Sequence, residues 1–284
     1  MNIKEALSYG FKELSNFNTY KLDASILLKQ STNFNDLDLI INQESNLSHT
    51  QELEYKQLIE RRKNNEPIAY ITGEKEFFGL NFKVNEHTLI PRPDTELLVE
   101  HVLQYIEQEN LEDPKILDLG TGSGAIIISI LSNIKNGKGF AVDLNPKALE
   151  KAKENAKLNN VDNKLEFVES SWFNNVKESD FDIIVANPPY ITNKMKESLD
   201  KDVVEFEPHL ALFGGEKGFE PYVEIVQNSP TFFKNKGKIF LEIGFDQKNE
   251  VLELFNDNIW SNKKCFKDLG NNDRLITVDL LKTK

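Results

Sequence analysis

The chain has 284 residues, 39% hydrophobic and 28% charged, with 19 Phe among its aromatics, enough apolar side chain to bury a core and to exclude a disordered tail. Its single cysteine, Cys265, excludes an internal disulfide and a multi-thiolate zinc site, and a net charge of -12 speaks against tight, sequence-independent binding to a phosphate backbone. No run approaches the roughly 18 consecutive apolar residues of a membrane helix, and Met1 to Glu5 show no signal pattern, so a soluble cytoplasmic protein with no membrane, metal or direct nucleic-acid contact is expected.

At roughly 150 residues per domain, two domains are expected. In chain order, Ile3, Ala6, Leu7, Phe11 and Leu14 recur at three and four, one face of an amphipathic helix. Helical patterns continue over 24–28 and 37–41, and Ser48 with Gln51 reads as a capping box opening a helix through Leu53, Leu58 and Ile59. Residues 1–73 therefore read as a small all-helical domain. The texture changes at Gly73, after which a Phe-Gly turn and alternation at Leu80, Phe82 and Val84 predict a β-hairpin linker over 74–90. A helix over 95–107 follows, and strand and helix then alternate regularly, the signature of a parallel sheet covered by helices. Strands are expected at 116–118, 139–143, 165–168, 183–186 and 238–243, near Phe266 and at 275–280, which makes 91–284 an α/β domain.

Two stretches carry chemistry. In the first, residues 115–127, an apolar strand runs through Asp118 into Gly120-Thr121-Gly122-Ser123-Gly124 and then an apolar helix. Glycines let a ligand approach the backbone, and free N–H groups at a helix start favour electron-rich groups. Asp143, at the end of the next expected strand, is placed to accept hydrogen bonds from both hydroxyls of a ribose. Together these read as the site of a nucleoside-bearing cofactor. The glycines alone leave its identity open, since Gly120, Gly122 and Ala125 also satisfy the relaxed dinucleotide fingerprint. Asp118 shifts the balance, because a carboxylate before the glycines repels a diphosphate but suits the cationic amino-acid end of S-adenosylmethionine.

The second stretch ends an apolar strand in Asn187-Pro188-Pro189-Tyr190, at the sheet edge where ligands of open α/β folds bind. Prolines stiffen the turn and donate no hydrogen bond, so the Asn187 amide oxygen and the Pro188 carbonyl read as fixed acceptors for a planar NH2 group, with Tyr190 over its flat face. Holding both N–H bonds aims the nitrogen lone pair at a sulfonium methyl. Positioning is then most of the catalysis: Asn187 orients, Pro188 and Tyr190 assist, and no general base is assigned.

These residues resemble a known family. Residues 118–124 with Asn187 to Tyr190 resemble class I S-adenosylmethionine-dependent methyltransferases acting on planar amide or amine nitrogens. Residues 67–73 (Pro-Ile-Ala-Tyr-Ile-Thr-Gly), the Glu76-Phe-Phe-Gly79 that follows, and residues 89–96 (Leu-Ile-Pro-Arg-Pro-Asp-Thr-Glu) are similar to signatures of the HemK/PrmC family, the peptide chain release factor glutamine methyltransferases, and the resemblance covers nearly the whole chain.

The resemblance implies a Rossmann-like, seven-stranded methyltransferase domain and, as substrate, the glutamine amide nitrogen in the Gly-Gly-Gln loop of bacterial class I release factors. S-adenosylhomocysteine would be the product and translation termination the process modulated. It also implies that 1–73 help hold the release factor, that Gly120 to Gly124 cradle the methionine moiety, that Asp143 holds the ribose and that Trp172 lies by the adenine. Asn187, Pro188, Pro189 and Tyr190 would hold the glutamine, with Asn187 bordering the cofactor too; Arg92, at a helix start, reads as either shaping the pocket or structural. Ser171 stands where the family usually has Asp, which bears on affinity for the adenine amine and not on reaction type.

Residues 207–215 also match the family and are expected to wall the substrate pocket, with His209 structural. Glu60-Arg61-Arg62-Lys63 reads as a solvated helix face, with the best basic patch for an acidic partner as its alternative, and a monomer is expected. The competing readings are a nucleic-acid amine methyltransferase, which would want a basic recognition domain, and a methyltransferase of a ribosomal-protein glutamine, for which a different sequence is expected at 91–96. A nicotinamide dehydrogenase would differ in cofactor, and a non-catalytic release-factor-binding module would be indifferent to Asn187→Ala.

Overall fold

Side chains of a strand alternate between the two faces of its sheet, and in the central strands here both sets are apolar. Ile116, Ala141, Ile183, Val185 and Phe240 enter one buried cluster, while Leu117, Phe140, Val142, Ile184 and Leu241 enter another. Strands of this kind need helices on both sides. A computed structural model describes residues 1–281 and shows that arrangement. The chain forms two units, Met1–Gly73 with Asp200–Phe206, and Glu74–Leu199 with the chain from Glu207 onward.

The first unit holds α1 (Ile3–Glu13), α2 (Tyr20–Thr32), α3 (Asp36–Ile41), α4 (His49–Lys63) and α5 (Ile68–Thr72). The Ser48–Gln51 capping box opens α4 with both reciprocal bonds in place. Gly10 allows α1 to pack closely, since a Cβ there would fall 2.1 Å from the Tyr55 hydroxyl oxygen. The basic run in α4 lies on a solvated face at Glu60, Arg61 and Lys63, as expected, and departs from it only at Arg62. Arg62 is buried, donates to Asp23 at 2.8 Å and lies over the Phe17 ring, while Arg61 pairs with Glu66 and Lys63 with Glu13. A charge is admitted to the core only when paired, and here its partners come from elements the local sequence does not display.

The second unit opens with the hairpin β1 (Glu74–Phe77) and β2 (Leu80–Lys83). Phe78 and Gly79 have φ of 52° and 73°, both left-handed, as a two-residue hairpin turn of matching twist requires. That conformation is costly for Phe, and the Glu96 carboxylate holds it by accepting from Phe78 N at 3.0 Å. The sheet comprises β3 (Lys115–Leu119), β4 (Lys138–Asp143), β5 (Leu165–Glu169), β6 (Phe181–Ala186), β7 (Phe233–Glu242), β8 (Trp260–Lys267) and β9 (Asp273–Leu280), ordered β5-β4-β3-β6-β7-β9-β8. Strands β5 to β7 of that order are parallel and β9 is antiparallel to both its neighbours. Strand β7 starts at Phe233, ahead of the expected 238, because Phe181 pairs with Phe233 before a register shift brings Ile183 opposite Lys238.

Helices α6 (Glu96–Gln108), α7 (Ala125–Ser132) and α8 (Pro146–Leu158) flank the first strands; α9 (Lys201–Phe206) belongs to the first unit; α10 (His209–Leu212), α11 (Glu220–Asn228) and α12 (Lys248–Glu253) complete the second. The chain reverses its order across the sheet between β3 and β6, and the loops leaving those strands frame the crevice where open α/β sheets bind ligands. Among the described residues no helix is long and apolar enough to cross a membrane.

Candidate active site at the switch point

After β3 the chain turns through Gly120, Gly122 and Gly124, whose φ values of 74°, 56° and 81° are left-handed. Gly120 N and Thr121 N both donate to the Val142 carbonyl at 2.8 Å, tying the loop to the end of β4. The Thr121 hydroxyl donates to Asp118 Oδ2 at 2.7 Å. Asp118 is fully buried, its Oδ1 has no partner among the described residues, and burial pushes its carboxyl up to about 7. Gly120 and Gly122 line a cavity; Asp118, Thr121, Ser123 and Gly124 do not, and support the turn instead. The Ser123 carbonyl accepts from Asn155 Nδ2 at 2.9 Å, and the same Asn155 pairs with the backbone of Lys83, so one buried amide joins the hairpin to the loop.

Asp143 stands on the cavity wall at the end of β4. Its Oδ2 accepts from Gly122 N and its Oδ1 from Asn145 N, each at 2.8 Å, which fixes the carboxylate and leaves each oxygen further acceptor capacity. Burial raises its pKa, and the surrounding backbone N–H groups oppose that rise. Trp172 lines the same cavity with a φ of 48°, its ring 3.8 Å from where a Gly120 Cβ would lie, and Ser171 lines it beside Trp172.

Beyond β6, Asn187 and Pro189 line the cavity. Asn187 Nδ2 donates to the Thr95 hydroxyl oxygen at 3.2 Å. Pro188 is buried, and Tyr190 packs against the apolar cluster, where burial pushes its phenol up to about 12; neither belongs to the cavity wall. The Tyr190 carbonyl accepts from Gln247 Nε2 at 3.1 Å. Gly214 comes so near that a Cβ would sit 2.3 Å from the Pro189 carbonyl oxygen.

Arg92 also lies off the wall. Its guanidinium pairs with Glu207, whose Oε2 accepts from Ile90 N at 3.2 Å, and the next residues, Pro208, Leu210 and Ala211, line the cavity. Arg92 thus anchors a wall segment through Glu207. The His209 ring stands edge-on to Phe213 at 5.4 Å.

Sequence reasoning missed His87, Leu89 and Asn145 on the wall. Asn145 had a signal, an Asn directly before Pro146, and it caps α8 by accepting from Lys147 N at 3.0 Å. Thr95 lies inside the 89–96 signature but was given no role there, and Glu242 had no signal; both are buried near Asn187.

Among the described residues no lysine or arginine lines the cavity, which does not suit a diphosphate, with Asp143 on the wall. A fixed carboxylate for a ribose, glycine backbone on one side and the apolar surfaces of Leu144, Ala148 and Trp172 on the other fit a nucleoside with a cationic tail. S-adenosylmethionine is the cofactor that this set fits.

A family model described as "Methyltransferase small domain" matches residues 93–207, and one described as "PrmC N-terminal domain" matches residues 5–73. The chain is 39% identical over 271 residues to the release factor glutamine methyltransferase of Flavobacterium psychrophilum, covering 94% of this chain and 92% of that protein. It is 37% identical to the bifunctional methyltransferase of Rickettsia bellii over 99% of its own length and 55% of the relative's, so it spans about half of that protein. A methyltransferase structure from Pyrococcus furiosus shares the fold, with a TM-score of 0.52 at 21% identity over 80% of this chain and 98% of that one. Matched along nearly its whole length by a relative that it covers almost completely, the chain belongs to the release factor glutamine methyltransferase family.

Proposed function

We propose that the protein transfers a methyl group from S-adenosylmethionine to the side-chain amide nitrogen of the Gly-Gly-Gln glutamine of bacterial class I release factors, in the cytoplasm, and so modulates translation termination. The observation that carries this reading is the commitment of Asn187 Nδ2 to Thr95, which leaves the amide oxygen as an acceptor at a cavity also lined by Gly120, Gly122 and Asp143.

When bound, S-adenosylmethionine supplies an electrophilic methyl group on a sulfonium. Asp143 would hold the ribose, the backbone of Gly120 and Gly122 the methionine end, and Trp172 the base. Asn187 Oδ1 and the Pro188 carbonyl accept the two N–H bonds of the glutamine, which fixes its NH2 group and turns the nitrogen lone pair toward the methyl. Pro189 bounds the flat face of the amide, and Tyr190, half-buried next to it in the chain, stiffens that turn by packing against the apolar cluster. The nitrogen would gain the methyl as the methyl's bond to the sulfonium breaks and leaves a neutral thioether, and it would give up one proton to water, so no side chain need act as base. Release-factor binding falls to the helical unit, where α3 exposes Leu37, Ile40 and Ile41, apolar side chains that a partner would cover.

The test is transfer of labelled methyl from S-adenosylmethionine to a purified class I release factor, beside a release factor whose Gly-Gly-Gln glutamine is replaced. Label in the first and not the second is expected. Label in both, or in neither while the cofactor binds, would overturn the substrate assignment.

A further inference from the structure

We infer that Glu242, Thr95 and Asn187 form a directed hydrogen-bond chain that fixes the Asn187 amide with its oxygen toward the substrate, making Glu242 and Thr95 positioning residues for methyl transfer. The inference rests on the reading of Asn187 given above. Strands β6 and β7 are parallel neighbours with Ala186 opposite Leu241, so the next residues, Asn187 and Glu242, leave the sheet side by side. Thr95, buried where α6 begins, accepts from Asn187 Nδ2 at 3.2 Å, and the Glu242 carboxyl stands close enough to both side chains for each to lower its pKa. Glu242 is 2% exposed, and its Oε2 has no partner among the described residues. A buried, incompletely satisfied carboxyl is costly, and its place directly beneath the orienting amide gives it a use.

That use follows from what each group can donate. A threonine hydroxyl donates or accepts, and an asparagine amide turned end for end keeps almost the same shape. Asn187 and Thr95 alone are equally satisfied with the amide nitrogen or the amide oxygen facing the substrate. An ionised carboxylate only accepts. It takes the Thr95 proton; the Thr95 oxygen then accepts from Asn187 Nδ2, and Asn187 Oδ1 is left for the glutamine N–H. The inverted amide would set NH2 against NH2.

Protonation of Glu242 removes the direction. Burial raises its pKa to about 7, against the lowering effects of Thr95, Arg274 and Asn187, while Asp94 adds to the rise. Tyr190 and Tyr222 also face it, and their own pKa values are raised, as is that of Arg274, which leaves Glu242 to titrate near neutrality.

The test compares Thr95→Ser, Thr95→Val, Glu242→Gln and Asn187→Ala by kcat for methyl transfer at saturating substrates, by S-adenosylmethionine affinity in calorimetry, and by the pH dependence of kcat. Thr95→Val and Glu242→Gln are expected to lower kcat at least about tenfold with cofactor affinity little changed. Thr95→Ser, which keeps the hydroxyl, should stay close to wild type. The wild-type kcat should rise with pH through about 7, the value to which Glu242 is shifted, and Glu242→Gln should lose that rise. A Glu242→Gln enzyme with wild-type kcat and pH profile, or a Thr95→Ser enzyme as impaired as Thr95→Val, would overturn the proposal. Full activity in Asn187→Ala would remove the reading of Asn187 and this proposal together, whereas loss in Asn187→Ala alone overturns only the proposal.

Discussion

The loop after β3 is held by its own neighbourhood, and the loop after β6 by residues far along the chain. Thr121 bonds to Asp118 three positions away, and Gly120 and Thr121 bond to the end of the adjacent strand β4. Asn187 bonds to Thr95, 92 positions away, and Tyr190 to Gln247, 57 positions away. Each loop has a buried carboxyl beside it that burial pushes up to about 7, Asp118 for the first and Glu242 for the second. A cofactor loop that is rigid by itself can be read from a short motif. A substrate loop whose prolines supply no donors depends on the assembled sheet for its geometry.

The sharpest way to break the first loop is Asp143→Ala, which removes the acceptor for Gly122 N and Asn145 N as well as the proposed ribose ligand. Charge-assisted bonds of this kind are worth roughly 1.5–3 kcal/mol each, so calorimetry should show S-adenosylmethionine binding weakened at least about 100-fold.

Arg92→Ala probes a long-range support of the cavity wall, because it leaves the Glu207 carboxylate, 1% exposed, without its guanidinium. Unfolding in denaturant should report a loss of about 2 kcal/mol, below the cost for a fully buried pair since Arg92 is itself 38% exposed. The wall residues Pro208 to Ala211 follow Glu207 directly, so KM for the cofactor should rise as well.

A smaller effect separates the two buried carboxyls from ordinary ones. The folded pKa of Asp118, about 7, lies above its ordinary 3.8, so the folded protein keeps a proton that the unfolded chain has lost. The stability this contributes is complete below pH 3.8 and is lost as pH rises through about 7. Asp118→Asn does not titrate, so its melting temperature relative to wild type should climb by a few degrees between about pH 5 and about pH 8. A flat difference would show that Asp118 is ionised in the folded protein throughout.

The same contrast explains what was legible in the sequence. The seven strands were readable because both faces of the sheet are buried, so apolar runs such as residues 183–186 stand out between glycines and polar turns. The cofactor loop was readable because the left-handed turn demands glycine at specific positions. The Arg92–Glu207 pair, 115 positions apart, and the Asn155–Lys83 link, 72 apart, had no local signal, because only the fold brings them together. The joining of Asp200–Phe206 to the helical unit was hidden for the same reason, with Asp202 lying 3.7 Å from Arg62. Tyr190 looked like a cavity residue in the motif and proved to be packed against the core, since a period-two pattern does not say how a chain turns after its last strand residue.

The division of labour between the loops is tested most directly by measuring, for Asn187→Ala, both the affinity for S-adenosylmethionine and the rate of methyl transfer to a class I release factor. Affinity within about tenfold of wild type, with transfer reduced at least about 100-fold through loss of the positioned amide, is the expected result. Transfer at the wild-type rate would contradict the account.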